Sequence, residues 1–208
     1  TSVLLPKKKI KAKIISRQEG ILAGIRFARD IFYLKGCRVR IIKKDGAKVK
    51  PNQTILQVSG DAKAVLSCER TVLNLLARMS GIATQTSLLV SKIRKINRKT
   101  KLYSTRKTAP GLRFFDKEAV AIGGGHKHRM SLNDMVMIKD NHLLVSNSIE
   151  NITKNARKQH RDVEVEVENQ RDAMIAASSG ATIVMLDNFS PAQIKKTISA
   201  LQKKKIRN

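Results

Sequence analysis

The sequence predicts an α/β protein in two parts, and three observations carry that prediction. The first third mixes short strand-like runs with one amphipathic helix. After about residue 96 the pattern changes to apolar strands separated by helices, the mark of a parallel sheet with right-handed crossovers. Four of these later strands run into charged residues at their downstream ends (Arg106 and Lys107, Lys139, Glu166, Asp187), where parallel α/β barrels place their chemistry.

In chain order, residues 11–16 alternate like a strand. Ser16-Arg17-Gln18-Glu19 has the form of a capping box, in which hydroxyl and carboxylate satisfy free amides at a helix start. Ile21, Ile25, Ala28 and Phe32 follow at helical spacing, and Gly36 supplies a stop. Short strands are expected at 38–43 and 53–59, with Asp45-Gly46 and Pro51-Asn52 as turns. A helix is expected over 61–79, an interruption at Ser80-Gly81, and a further helix to about Ile96.

Beyond it, strands are expected at 102–104, 135–138, 163–167 and 183–186, and a last helix over 191–203. In Val163-Glu164-Val165-Glu166-Val167-Glu168 the valines share one face and the carboxylates the other. That pattern fits an amphipathic edge strand with wet glutamates, or a barrel strand aiming Glu166 into a polar mouth.

Length and composition bound the function. The chain has 208 residues, enough for one medium domain or two small ones, and 41% of them are apolar. Two cysteines, Cys37 and Cys68, make neither a disulfide framework nor a metal-binding spacing, which fits a reducing, cytoplasmic compartment. No apolar run approaches bilayer-spanning length, and the first residues lack a signal-peptide layout. The net charge of +26 suggests either a nucleic-acid partner or a solvated lysine-rich surface. Aromatic residues are only 3% of the chain, so stacking platforms are scarce, and no helix-turn-helix, zinc-finger or RNP pattern is visible. The solvated surface is the favoured reading.

Residues 104–142 hold most of the functional signal. Arg106, Lys107, His128, Arg129 and Lys139 place five actual or potential cations in this span, with Gly123, Gly124 and Gly125 among them. A solvated basic surface has no reason to interleave cations with glycine and apolar runs; a pocket for a small polyanion does. His126 and His128 have the spacing of a metal pair but no evident third ligand. Arg78 and Arg113 read as structural or peripheral, and His142 as a tie between a loop and the backbone.

These motifs closely resemble the quinolinate phosphoribosyltransferases of NAD biosynthesis. The resemblance runs from Arg17-Gln-Glu-Gly-Ile-Leu-Ala-Gly24 through Glu69-Arg-Thr-Val-Leu-Asn-Leu-Leu-Ala-Arg-Met-Ser-Gly-Ile-Ala-Thr84. It is strongest in Thr105-Arg-Lys-Thr-Ala-Pro-Gly-Leu-Arg113, Gly123 to Arg129 and Ile138-Lys-Asp-Asn-His142, and ends with Glu164-Val-Glu-Val167 and Leu186-Asp-Asn-Phe189. It implies an N-terminal α/β sandwich domain over 1–78 followed by a partial (β/α) barrel over 79–208, truncated at both ends relative to the family. The implied reaction joins quinolinate to 5-phosphoribosyl-1-pyrophosphate with Mg²⁺, giving nicotinate mononucleotide, pyrophosphate and CO₂. Arg106, His128, Arg129 and Lys139 would surround the quinolinate carboxylates. Arg70 would reach a neighbouring subunit's site, which implies a homodimer or larger oligomer. Lys107 would contact the donor, and Glu166 and Asp187 its ribose hydroxyls and the Mg²⁺.

The family continues past Asp187 with a further strand bearing a Ser-Gly-Gly loop for the donor's 5′-phosphate, which this sequence lacks. A clipped chain, an eroding gene and a partner that supplies the missing strands all stay open, and the chain alone is expected to bind the donor weakly. Two rival functions are a related phosphoribosyltransferase with another acceptor and a basic nucleic-acid-binding protein.

Overall fold

The computed structural model describes residues 8–131 and 134–203, which divide into two compact units, Thr1–Met130 and Ser131–Asn208. The first unit runs β1 (Lys9–Ile15), β2 (Gly20–Ile21), α1 (Ile25–Leu34), β3 (Arg38–Ile41), β4 (Lys48–Val49), β5 (Thr54–Asp61), α2 (Ala62–Ile96) and α3 (Arg113–Ile122). An antiparallel sheet in the order β1-β5-β3 lies on helices, and β2 pairs with β4. β1 shows why alternation predicted a strand: Lys9, Lys11 and Lys13 face solvent while Ile10, Ala12 and Ile14 pack on the core. That core joins Leu22, Ile25, Phe32, Leu56, Val58 and Val72.

The expected capping box does not form. Ser16 follows β1, with its amide donating to Gln53 O at 2.9 Å and its hydroxyl to Gln18 O. The next residues are drawn out along α2 instead: Ile21 N–H donates to Thr84 Oγ1 at 2.8 Å and Ala23 N–H to Ser80 Oγ at 3.0 Å. α1 therefore starts later, at Ile25, whose N–H donates to Asp45 Oδ1 at 2.9 Å. A carboxylate from a distant turn does the work assigned to Ser16, an arrangement that local sequence does not reveal. The stop near Gly36 is as expected, with φ +72° there.

The interruption expected at Ser80-Gly81 is also absent. α2 runs unbroken over 35 residues, started by Asp61, whose side chain accepts from Lys63 and Ala64 N–H. Ser80 is instead a docking point, since its hydroxyl bonds both the N–H and the carbonyl of Ala23. The strand expected at 102–104 reduces to a single parallel bridge between Tyr103 and His126.

The second unit alternates strand and helix as predicted: β6 (Val136–Ile138), α4 (Asp140–Ser146), α5 (Ile149–Gln159), β7 (Val163–Val167), α6 (Gln170–Ser178), β8 (Ile183–Leu186) and α7 (Pro191–Lys203). The three strands are parallel in the order β6-β7-β8. β7 is thus central, and Val163, Glu164, Val165 and Val167 are all buried. The edge-strand reading of its valine–glutamate alternation fails, because β7 is paired on both sides, with β6 and with β8. Ser148 and Asn169 cap α5 and α6 by accepting from Asn151 and Asp172 N–H.

Candidate active site

In the first unit the cations sit on two loops held side by side. One carries Arg106 and Lys107 and leads into α3; the other follows α3 and carries His128 and Arg129. The bridge at Tyr103 and His126 joins them: His126 N–H donates to Leu102 O at 2.7 Å and Ser104 N–H to His126 O at 2.9 Å. The rings of Tyr103 and His128 meet edge to face at 6.4 Å. Arg113 adds longer contacts, to Thr108 Oγ1 at 3.4 Å and Met130 O at 3.5 Å.

The glycine triplet explains how the second loop gets there. A Cβ on Gly123 would overlap the carbonyl oxygen of Ala83 and lie 2.7 Å from Thr86 Cβ, so only glycine lets the end of α3 close on α2. A Cβ on Gly125 would come within 2.8 Å of Val120 Cγ1. Gly124 has φ +89°, in the left-handed region. Gly123 and Gly125 thus serve close packing, and Gly124 the left-handed turn between them.

Arg78 is structural. Its Nε and Nη2 donate to Asp116 Oδ1 and Oδ2 at 2.7 and 2.8 Å, a bidentate tie between α2 and α3. Hydrogen bonding to Asp116 raises the Arg78 pKa above its ordinary value, against partial desolvation. Lys127 pairs with Glu118, which also takes Arg26 at 2.9 Å.

The residues singled out in this unit differ in exposure. Arg106 is half-buried, and its Nε is sealed from solvent without a hydrogen-bond partner. His128 and Arg129 are half-buried, Lys107 is exposed, and Arg70 stands exposed on α2. Sequence reasoning missed Lys117, which is fully buried on α3 and donates to Ser104 Oγ at 3.1 Å and His128 O at 3.0 Å. The signal was faint: Asp116-Lys117-Glu118 looks like a charged surface triplet, yet Asp116 and Lys117 point inward.

In the second unit the charged groups stand at strand ends, as predicted. Lys139 follows β6 and donates from Nζ to Glu166 Oε2 on β7 at 2.9 Å. Asp187 follows β8, with its N–H donating to Val167 O at 2.9 Å and its Oδ2 accepting from Asn188 Nδ2 at 2.9 Å. His142 ties its loop to the backbone, accepting the Lys139 N–H on Nδ1 at 3.0 Å. The sheet register, Ile138 beside Val165 and Val167 beside Leu186, aligns these ends. Among the described residues, no three His, Cys, Asp or Glu side chains cluster to hold a metal ion.

Comparison with known proteins covers the whole chain. Residues 1–80 match the N-terminal domain of quinolinate phosphoribosyl transferase, and residues 82–208 its C-terminal domain. A probable nicotinate-nucleotide pyrophosphorylase (carboxylating) of Archaeoglobus fulgidus is 42% identical over 98% of this chain and 79% of its own length. The nicotinate-nucleotide pyrophosphorylase (carboxylating) of Homo sapiens is 36% identical over 92% of this chain and 66% of its own. The solved nicotinate-nucleotide pyrophosphorylase of Francisella tularensis superposes with a TM-score of 0.89 at 37% identity, covering 97% of this chain and 73% of that one. With matches to both domain models, and relatives sharing a third or more of its residues along nearly its whole length, the chain belongs to the quinolinate phosphoribosyl transferase family.

Proposed function

We propose that this protein is a carboxylating nicotinate-nucleotide pyrophosphorylase of NAD biosynthesis. It transfers the phosphoribosyl group of 5-phosphoribosyl-1-pyrophosphate to quinolinate and releases pyrophosphate and CO₂. The observation that carries the reading is a half-buried guanidinium in the family's strongest motif. Arg106 Nε has no hydrogen-bond partner, and a buried donor left unsatisfied costs about 1–3 kcal/mol. A carboxylate paired with this half-buried guanidinium gains a charge-assisted bond.

The residue roles are those the family resemblance implies, and the chemistry is consistent with them. Quinolinate is a dianion, and Arg106, His128, Arg129 and Lys139 are its carboxylate partners; the forked guanidinium groups suit bidentate pairing. Breaking the anomeric C–O bond sends its electrons to pyrophosphate and builds positive charge on the ribose. The pyridine nitrogen then bonds to the anomeric carbon. Glu166 and Asp187 stabilise the ribosyl charge and hold its hydroxyls, while Lys107 contacts the donor's phosphates. Loss of the ring-2 carboxylate as CO₂ leaves an electron pair on the ring carbon, which takes up a proton. Surrounding cations lower the barrier by stabilising that negative charge.

Glu166 and Asp187 also fit Mg²⁺, because that ion keeps several waters and substrate phosphates and needs only one or two protein carboxylates. When bound, it neutralises the departing pyrophosphate. Lys139 is held by Glu166 at 2.9 Å, so the carboxylate that faces the ribose also orients a cation for quinolinate.

An oligomer with shared sites, at least a homodimer, fits the exposed face of α2. Arg70 stands there beside a groove of about 730 Å³, floored by Ile14, Leu73 and Leu76 and edged by Leu66. The compartment we assign is the cytoplasm, on the two free cysteines.

The test is formation of nicotinate mononucleotide and CO₂ from quinolinate and the donor with Mg²⁺. Arg129→Ala is expected to abolish quinolinate binding while circular dichroism stays unchanged. A collapsed spectrum would make Arg129 a structural residue and remove it from the site.

A further inference from the structure

We propose that Lys117 is a positioning residue for quinolinate, setting the spacing between the two loops that carry its carboxylate partners. The proposal rests on the functional reading above and adds to it a residue outside the charged set already named.

Lys117 lies on α3 with none of its surface exposed. Burying an amine is costly, and a methionine of similar length would fill the same space without that cost. The amine is compensated by bonds to two different loops. It donates to Ser104 Oγ at 3.1 Å, two residues before Arg106, and to His128 O at 3.0 Å, next to Arg129.

The placement matters because backbone pairing between the loops is so short. It consists of one bridge, Tyr103 with His126, and two flanking hydrogen bonds, the further of which ends at Ser104 N–H. Lys117 continues the coupling from there toward Arg106 on one side and Arg129 on the other. Arg113 adds contacts of 3.4 and 3.5 Å, weaker by geometry, and the rings of Tyr103 and His128 meet edge to face at 6.4 Å. Two guanidinium groups that grip one small diacid must keep their separation, and displacements on the order of 1 Å cost about 100-fold in such sites.

Lys117→Met removes the bonds to Ser104 and His128 and keeps the volume. Titration calorimetry with quinolinate alone is expected to show at least ~10-fold weaker binding. Steady-state KM should rise for quinolinate and stay within about threefold for the donor, a split that loss of folded protein does not produce. Ser104→Ala should weaken quinolinate binding several-fold, and the double variant should bind no worse than Lys117→Met, because both substitutions break one linkage.

Quinolinate affinity within about twofold of wild type in Lys117→Met overturns the proposal, as does strict additivity in the double variant. If Lys117→Met does not fold, Ser104→Ala decides: a folded variant with wild-type affinity overturns it. A wild-type chain that binds no quinolinate overturns the functional reading and this proposal together. Wild-type binding with an unaffected Lys117→Met overturns only this one.

Discussion

In Thr1–Met130 the charged groups ride on loops, and in Ser131–Asn208 they ride on strand ends. Arg106 and Arg129 are located by tertiary devices: one bridge, a glycine triplet pressed on α2, and a buried lysine. Lys139, Glu166 and Asp187 are located by the pleat and register of three parallel strands. The first arrangement concentrates its risk in a few contacts. The second spreads it over a ladder of backbone hydrogen bonds and a valine core. A substitution that disturbs packing should therefore damage the first unit's chemistry, whereas only a change at the charged group itself should damage the second's.

The largest expected effect tests the first half of that contrast. Gly123→Ala puts a methyl against the Ala83 carbonyl and Thr86, both on the long helix α2. Neither is the movable tip of a side chain, so the turn after α3 must shift. Destabilisation of about 3 kcal/mol is expected, at the upper end of ordinary overpacking. Quinolinate affinity should fall with it, because the displaced turn leads straight to His128 and Arg129. Urea unfolding with a quinolinate titration measures both. An unchanged midpoint would show that the turn tolerates a side chain and that close packing does not place the loop.

Glu166→Gln tests the other half. It keeps shape and removes the charge facing Lys139, in a pair whose side chains are 17% and 36% exposed. Such an ion pair contributes little to stability, about 1 kcal/mol or less after solvent screening. Turnover should fall about 100-fold, the scale seen when an electrostatic stabiliser of a transition state is removed. Rate loss with a nearly unchanged melting temperature is the expected signature. A large loss of stability with little loss of rate would reverse the roles given to strand ladder and charge.

The same contrast governs what was legible in the sequence. Strands β6, β7 and β8 and helix α7 follow from local alternation and turn signals, and the charged residues at their ends were found with them. Helix α1 was misplaced at its start because its capping group, Asp45, comes from a turn 20 residues downstream. The break at Ser80-Gly81 was inferred from two poor helix formers, yet Ser80 is held in helix by its bonds to Ala23. Lys117 was invisible for a related reason: a charged residue among charged neighbours gives no sign that it points inward. In each case the deciding partner lies elsewhere in the chain, and sequence spacing carries no record of it.

The smallest expected effect separates two uses of glycine in one helix-packed unit. Gly81 lies inside α2, is exposed, and would meet no atom within 4 Å if given a Cβ. Its φ is not in the left-handed region, so nothing in the backbone requires glycine. Gly81→Ala should therefore stabilise the chain by about 0.5–1 kcal/mol, through helix propensity and a less flexible unfolded state. Thermal melting at matched protein concentration reads the shift, with Gly123→Ala as its opposite. Should Gly81→Ala destabilise instead, the exposed face of α2 beside the Ile14 and Leu73 groove is covered in solution, and the methyl is clashing with whatever covers it. Sedimentation of the two proteins would then show the variant as the smaller species, which would link this glycine to the same face that presents Arg70.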